Sequence, residues 1–248
     1  MDNTGLAFEA AKILTRADGA FAKTRQIGDV KITDVRLSAE AGARIGKRAG
    51  RYITLHGEPH AAGMTALLRR ALLQLLPPRG RLFAAGLGNP DVTPDRLGAA
   101  AIRSVIATGD ACRQKNARYS FAAVETDVAA RTGIETARLV KAITRELKPD
   151  CVIIVDALSC KDPRFIGKTV QLSSAGITPG SGSADRGDFT AVTPELLHCP
   201  VASIGVPTVA ALSAVTNDPK DNGFLVTPPD IDTIINMWAE VIGGALSN

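Results

Sequence analysis

Residues 151–158 read CVIIVDAL: a cysteine, four β-branched residues in a row, and then a carboxylate. A run this short with no polar face reads as a strand buried on both sides, the kind found in a sheet covered by helices. Working outward, RLFAAG at 81–86 and SFAAVE at 120–125 are similar apolar strands, and VQLSS at 170–174 and VASIGV at 201–206 add two more. Helical spacing of apolar residues fills the gaps, at 61–76 (stopped by Pro77-Pro78), 94–107 and 133–147, and again in a closing helix at 229–246. Strand and helix in alternation predict an α/β fold, a three-layer α/β/α sandwich with a mostly parallel sheet. Upstream, VKITDVRL at 30–37 and RYITLHG at 51–57 read as an N-terminal β-hairpin, and residues 1–28 as a short helix followed by a polar turn. Helix starts are expected at Thr93-Pro94-Asp95, at a capping box Thr132-Gly133-Ile134-Glu135, and at Thr227-Pro228.

The 248 residues suffice for a sizeable core, and all of 1–248 is read as one domain. With 45% hydrophobic and 22% charged residues, extensive disorder is excluded. A net charge of +4, spread in pairs such as Lys47-Arg48 and Arg69-Arg70, gives no nucleic-acid footprint. Four scattered cysteines without a CxxC pair fit reduced thiols and a cytoplasmic setting, and no stretch is apolar enough for a membrane span or an export signal.

In an open α/β sheet, ligands bind beyond the carboxyl ends of the strands, so those ends carry the candidate residues. Three places qualify. GLGNPDVTPDRLG at 86–98 is a Gly-rich strand-to-helix turn, but with two carboxylates, no lysine and no Walker spacing it makes a poor phosphate cradle and suits proton or metal chemistry better. Asp156 follows five apolar strand residues, and desolvation there raises a carboxyl pKa; it is either a site residue or the cap of a neighbouring loop. ITPGSGSADRGDF at 177–189 is either one wall of a cleft or simply a flexible loop. His56, His60 and His198 are the only histidines and none sits at a parallel-strand end, which leaves a Ser/His/Asp or Cys/His site poorly supplied. What remains is a pair of aspartates, Asp95 and Asp156.

At these residues the sequence resembles the germination protease family, endopeptidases that degrade small acid-soluble proteins when bacterial spores germinate. The resemblance is collinear: RIGKRAGRYITL at 44–55, GLGNPDVTPDRLG at 86–98, TGIETARLVKAI at 132–143, KPDCVIIVDAL at 148–158, GITPGSG at 176–182, PVASIGVPTV at 200–209 and LVTPPDID at 225–232. It implies a fold like that of hydrogenase-maturation proteases and an atypical aspartic endopeptidase whose catalytic residues are Asp95 and Asp156. Substrate contacts are expected at Asn89, Thr178, Gly180, Ser181 and Gly182, the last three through loop amides able to stabilise an oxyanion. No cofactor and no metal are expected. The implied partners are small acid-soluble spore proteins and further copies of the chain, with no nucleic acid or membrane, in the cytoplasm of the spore core or forespore.

Two departures from the family pattern point to altered substrate contacts or proton relay: Thr178 stands where the family has histidine in GIHPGSG, and Thr108-Gly109-Asp110 replace a TRH triplet. An insertion before the closing helix shrinks here to about 217–223. The family is made as a zymogen, and the segment matching its processing site is Asn3-Thr4-Gly5-Leu6-Ala7-Phe8-Glu9, with glycine in place of an acidic residue. Residues 1–28 are therefore read as at most a propeptide remnant, and no self-processing is expected at Gly5-Leu6. Two other classes remain open: a metal-dependent maturation-type peptidase, and an inactive relative that binds spore proteins.

Overall fold

The computed structural model describes residues 5–11, 18–109, 117–179, 190–216, 218–221 and 224–247. Its first half holds α1 (Ala7–Ala11), β1 (Ala20–Ile27), β2 (Val30–Leu37), α2 (Ala39–Arg44), β3 (Gly50–His56) and α3 (Met64–Leu72). Next come β4 (Gly80–Gly86), α4 (Leu97–Arg103), β5 (Tyr119–Glu125), α5 (Ala129–Thr132), α6 (Thr136–Leu147) and β6 (Cys151–Cys160). The chain closes with β7 (Thr169–Ser173), α7 (Pro194–Leu197), β8 (Val201–Ala211), α8 (Ser213–Thr216), β9 (Leu225–Val226) and α9 (Ile231–Leu246).

Among the described residues nine strands form one sheet in the order β1-β2-β3-β7-β8-β6-β4-β5, with β9 against β8. The half that carries the helices is parallel: β5 with β4, β4 with β6, and β6 with β8. The other pairs, from β1 to β2 through β7 to β8, are antiparallel, so the sheet is mixed rather than mostly parallel. Every one of the ten residues of β6 is buried, as expected for a central strand covered on both faces. The steps β4 to β5 and β5 to β6 run in opposite directions across the sheet, and right-handed crossovers put α4 and α6 on opposite faces. On the α4 face, α9 packs against α3 and α4, and its fully buried Trp238 donates Nε1–H to the Gly167 carbonyl at 2.6 Å. That bond removes the one polar cost of burying an indole.

Several local expectations are corrected. Residues 20–27 are a strand, not a turn: β1 pairs with β2 from Ala20↔Leu37 to Ile27↔Val30, while the expected antiparallel pairing of 30–37 with 51–57 forms on the other side of β2, from Lys31↔His56 to Leu37↔Gly50. The capping box does not form, because Thr132 ends α5, Gly133 turns the chain with φ +68°, and the Glu135 carboxylate accepts from the Thr190 amide at 2.9 Å. The closing helix begins at Ile231, three residues past Pro228, and the Thr227 hydroxyl donates instead to the Thr208 carbonyl at 2.8 Å.

The described part of the N-terminal segment is tied to the sheet by hydrogen bonds. Gly5 N–H donates to the Ser159 carbonyl at 2.7 Å, its carbonyl accepts from Gln171 Nε2 at 3.1 Å, Ala7 N–H donates to Gln171 Oε1 at 2.7 Å, and Leu6 is fully buried. A peptidase needs its scissile bond extended and free of such bonds. The Gly5–Leu6 peptide is therefore expected to survive prolonged incubation under conditions where substrate is cleaved. A species beginning at Leu6 in the intact mass, absent in Asp95→Asn, would show that this segment leaves the sheet and is processed.

Candidate active site

Both candidate aspartates come to the carboxyl ends of the parallel strands. Asp156 lies on β6 opposite Gly205 of β8, one residue past the Gly86↔Val155 pair that ends β4. Asp95 closes a 3-10 turn, Thr93–Asp95, that packs on β6, β8 and α9. Thr93 is the first residue of that turn rather than its cap, and the Asp95 carboxylate serves a different purpose from capping α4. Its Oδ2 accepts the Asn89 amide N–H at 2.6 Å, which ties the two ends of the 88–95 loop together. Gly88 makes this closure fit: it has φ +96°, and a Cβ there would stand 2.0 Å from the Asp95 carbonyl oxygen.

The two carboxyls differ in environment. Asp156 is 1% exposed; Oδ1 accepts its neighbour Ala157 N–H at 2.9 Å, and Oδ2 is buried without a partner among the described residues. Burial, and then the nearby charge of Asp95, push its pKa well above the usual carboxylate range. Asp95 is less deeply placed. Burial raises its pKa, the Asn89 amide works against that, and the Asp127 carboxylate adds to it. Burial and the Asp95 charge favour the protonated form of the deeper Asp156, whereas the Asn89 amide N–H favours the ionised form of Asp95.

Asp127 was not singled out in the sequence. It stands two residues beyond β5, where a residue at the end of a parallel strand was to be expected, but β5 ends in Glu125 and the carboxylate nearest the strand drew no attention to the next. Asn89 is brought to the aspartates, though its side chain is spoken for: Oδ1 accepts from Asp91 N–H at 2.9 Å and from an Arg131 NH group at 3.2 Å. Thr178 has a different partner, since its hydroxyl accepts from Arg48 at 3.3 Å on the stretch that follows β7. Gly180, Ser181 and Gly182 lie outside the described residues.

The cysteines among the described residues are quiet. Cys151, Cys160 and Cys199 are buried free thiols, and burial pushes Cys151 and Cys160 up to about 12, where the reactive thiolate is negligible at neutral pH. His56 joins β3 to β7 through Thr169 Oγ1 at 2.9 Å. No helix among the described residues is long and apolar enough to cross a membrane.

A family model described as germination protease matches residues 7–222. The chain belongs to the germination protease family. Among germination proteases, that of Caldanaerobacter subterraneus is 33% identical over 239 residues, which cover 87% of this chain and 71% of the relative. The germination protease of Clostridium tetani is 30% identical, with 98% of this chain and 94% of the relative covered. The match to the Geobacillus germination protease, 31% identical, takes in 82% of this chain but only 59% of that longer protein. A solved [NiFe] hydrogenase maturation protease, HycI from Thermococcus kodakarensis, superposes with a TM-score of 0.40 at 17% identity, covering 71% of this chain and 98% of its own.

Proposed function

We propose that this chain is an endopeptidase that hydrolyses small acid-soluble spore proteins during germination, with Asp95 and Asp156 sharing the acid–base work. The observation that carries the reading is a fully buried Asp156, one oxygen of which has no partner among the described residues, beside a half-buried Asp95 at the same strand-end edge. Family membership supports the class of reaction. In its ionised form Asp95 takes a proton from water, and the hydroxide adds to the scissile carbonyl carbon. Asp156 holds the proton of the pair and supplies it to the amide nitrogen as the C–N bond breaks, and the proton that Asp95 took from water then passes back to Asp156, which restores the pair. The products are a carboxylic acid and an amine, with one water consumed. Environments that push two carboxyls apart in this way are how acid and base roles are divided between identical side chains. Incubation with a recombinant small acid-soluble spore protein, followed by mass spectrometry of the products, tests the reading. Tight binding without cleavage would make the chain an inactive binding relative instead.

The same assay separates the aspartyl reading from a metallopeptidase. Among the described residues no three His, Cys, Asp or Glu side chains come together in a way that could hold a metal ion. Activity is expected to survive exhaustive chelation unchanged. Loss on chelation with recovery at one equivalent of a divalent ion would move the chemistry to a bound metal.

A further inference from the structure

Asp127 has a backbone that few residues other than glycine adopt, φ +58°, a conformation that aspartate and asparagine tolerate best among them. It is held there from both sides. Thr126 binds the Gly86 carbonyl through its N–H at 3.0 Å and its hydroxyl at 3.2 Å, fixing the end of β5 to the end of β4 just before the loop that carries Asp95. Asp127 Oδ1 then accepts the Val128 amide at 2.8 Å, and Oδ2 meets Arg131 Nε at 3.3 Å. The same guanidinium reaches across to Asn89 Oδ1 and to the Asp91 carboxylate. Arg131 thus clamps the turn after β5 to the 88–95 loop, whose Asn89 amide holds Asp95.

The elements around Asp95 differ in the charge they bring. Asp156 faces it from β6 and Asp127 from the end of β5, while β8 contributes no charged side chain. Toward α9, which carries Asp232 and Glu240, the adjacent Arg96 turns its guanidinium to the Asp232 carbonyl at 3.4 Å and Asn236 Oδ1 at 3.1 Å. Asp91 is 74% exposed and screened by water, whereas the Asp127 side chain is 24% exposed, so Asp127 is the outer carboxylate that Asp95 feels.

Resting on the aspartyl reading above, we propose that Asp127 and Arg131 are an opposed pair of positioning residues, a third carboxylate and its counter-charge, that set the pH range over which Asp95 and Asp156 work. Removing the Asp127 charge makes Asp95 easier to ionise; removing the Arg131 charge leaves Asp127 uncompensated and makes it harder. The two neutralising variants therefore act in opposite directions, which a merely structural role would not produce.

Two readouts test this on the full chain: side-chain carboxyl NMR titration of Asp95, and the acid limb of kcat/KM on a small acid-soluble spore protein. Asp127→Asn, which keeps the backbone conformation accessible, is expected to move both down by about 0.5–1 pH unit, and Arg131→Gln to move both up by a similar amount. Arg131→Lys should stay near the wild-type value, and the Asp127→Asn/Arg131→Gln double variant should return toward it. Shifts in the same direction, or of less than about 0.2 pH unit in both single variants, overturn the proposal. If the NMR shifts oppose one another but no variant, nor the wild type, cleaves the substrate, the endopeptidase reading fails and the charge pair stands. If cleavage is robust and the shifts are absent, only the charge pair fails.

Discussion

Asp95→Asn and Asp156→Asn are each expected to lower endopeptidase activity by about 10²–10⁴-fold, the range that a positioned acid or base contributes, while the chain stays folded. Stability tells the Asp156 change apart from a simple loss of structure. Its pKa is raised in the folded chain, so above the ordinary carboxylate pKa the folded state binds more protons than the unfolded one, and stability falls as pH rises. Asparagine carries no charge to desolvate. Asp156→Asn is therefore expected to stabilise the chain near neutral pH, by an amount on the order of 1 kcal/mol or roughly 2–4 °C in Tm. That gain should fade below about pH 4, where the carboxyl is protonated in both states. Asp95→Asn acts in the same direction with a smaller gain, because the Asn89 amide already favours the ionised form. Cleavage rates and thermal melts at pH 4 and pH 7.5 check both halves. Near wild-type cleavage by either variant would make that aspartate structural, and a loss of stability at neutral pH would mean that Asp156 is held ionised.

What the sequence disclosed tracks burial. CVIIV was legible because β6 is covered on both faces, and the Asp156 that follows it was legible for the same reason: a charge is conspicuous only where its surroundings are apolar. β1 was illegible because seven of its eight residues are exposed, so the period-2 alternation that marks a strand is missing, and pairing with β2 along its whole length holds it in place. The failed capping box has a different cause. The TGIE spacing is right, but the Glu135 carboxylate finds the Thr190 amide, 55 residues away, and a local pattern cannot register a competitor so distant in sequence. Asp127 and Arg131 escaped notice in the same way. Their meaning depends on Asn89, some forty residues earlier, which only the parallel pairing of β4 with β5 brings beside them.

Gly98→Ala is expected to cost about 2–3 kcal/mol of stability and to reduce cleavage by roughly 10²-fold, although glycine to alanine inside a helix normally stabilises by about 0.5–1 kcal/mol. The sign reverses because α4 lies directly on the strand ends. A Cβ on Gly98 would stand 2.2 Å from the Leu87 carbonyl oxygen, 2.4 Å from the Leu87 nitrogen and 2.5 Å from the Val155 carbonyl oxygen. All three are backbone atoms of the strand ends that carry the site, and none can swing aside as a flexible side chain would. Relief requires α4 to lift, and Asp95 sits only two residues before it, so the lift separates Asp95 from Asp156 on β6. A displacement of about 1 Å at reacting groups is enough for a loss of that order. Gly86 meets the same contact from the strand side, since its Cβ would lie 2.2 Å from the Gly98 carbonyl oxygen. Gly86→Ala should show the same two losses, and the double variant should lose less than their sum, because one lift of α4 relieves both clashes. Thermal melts and single-turnover cleavage of the three variants measure this. Full additivity, or a Gly98→Ala enzyme with wild-type Tm and rate, would show that α4 does not set the position of Asp95.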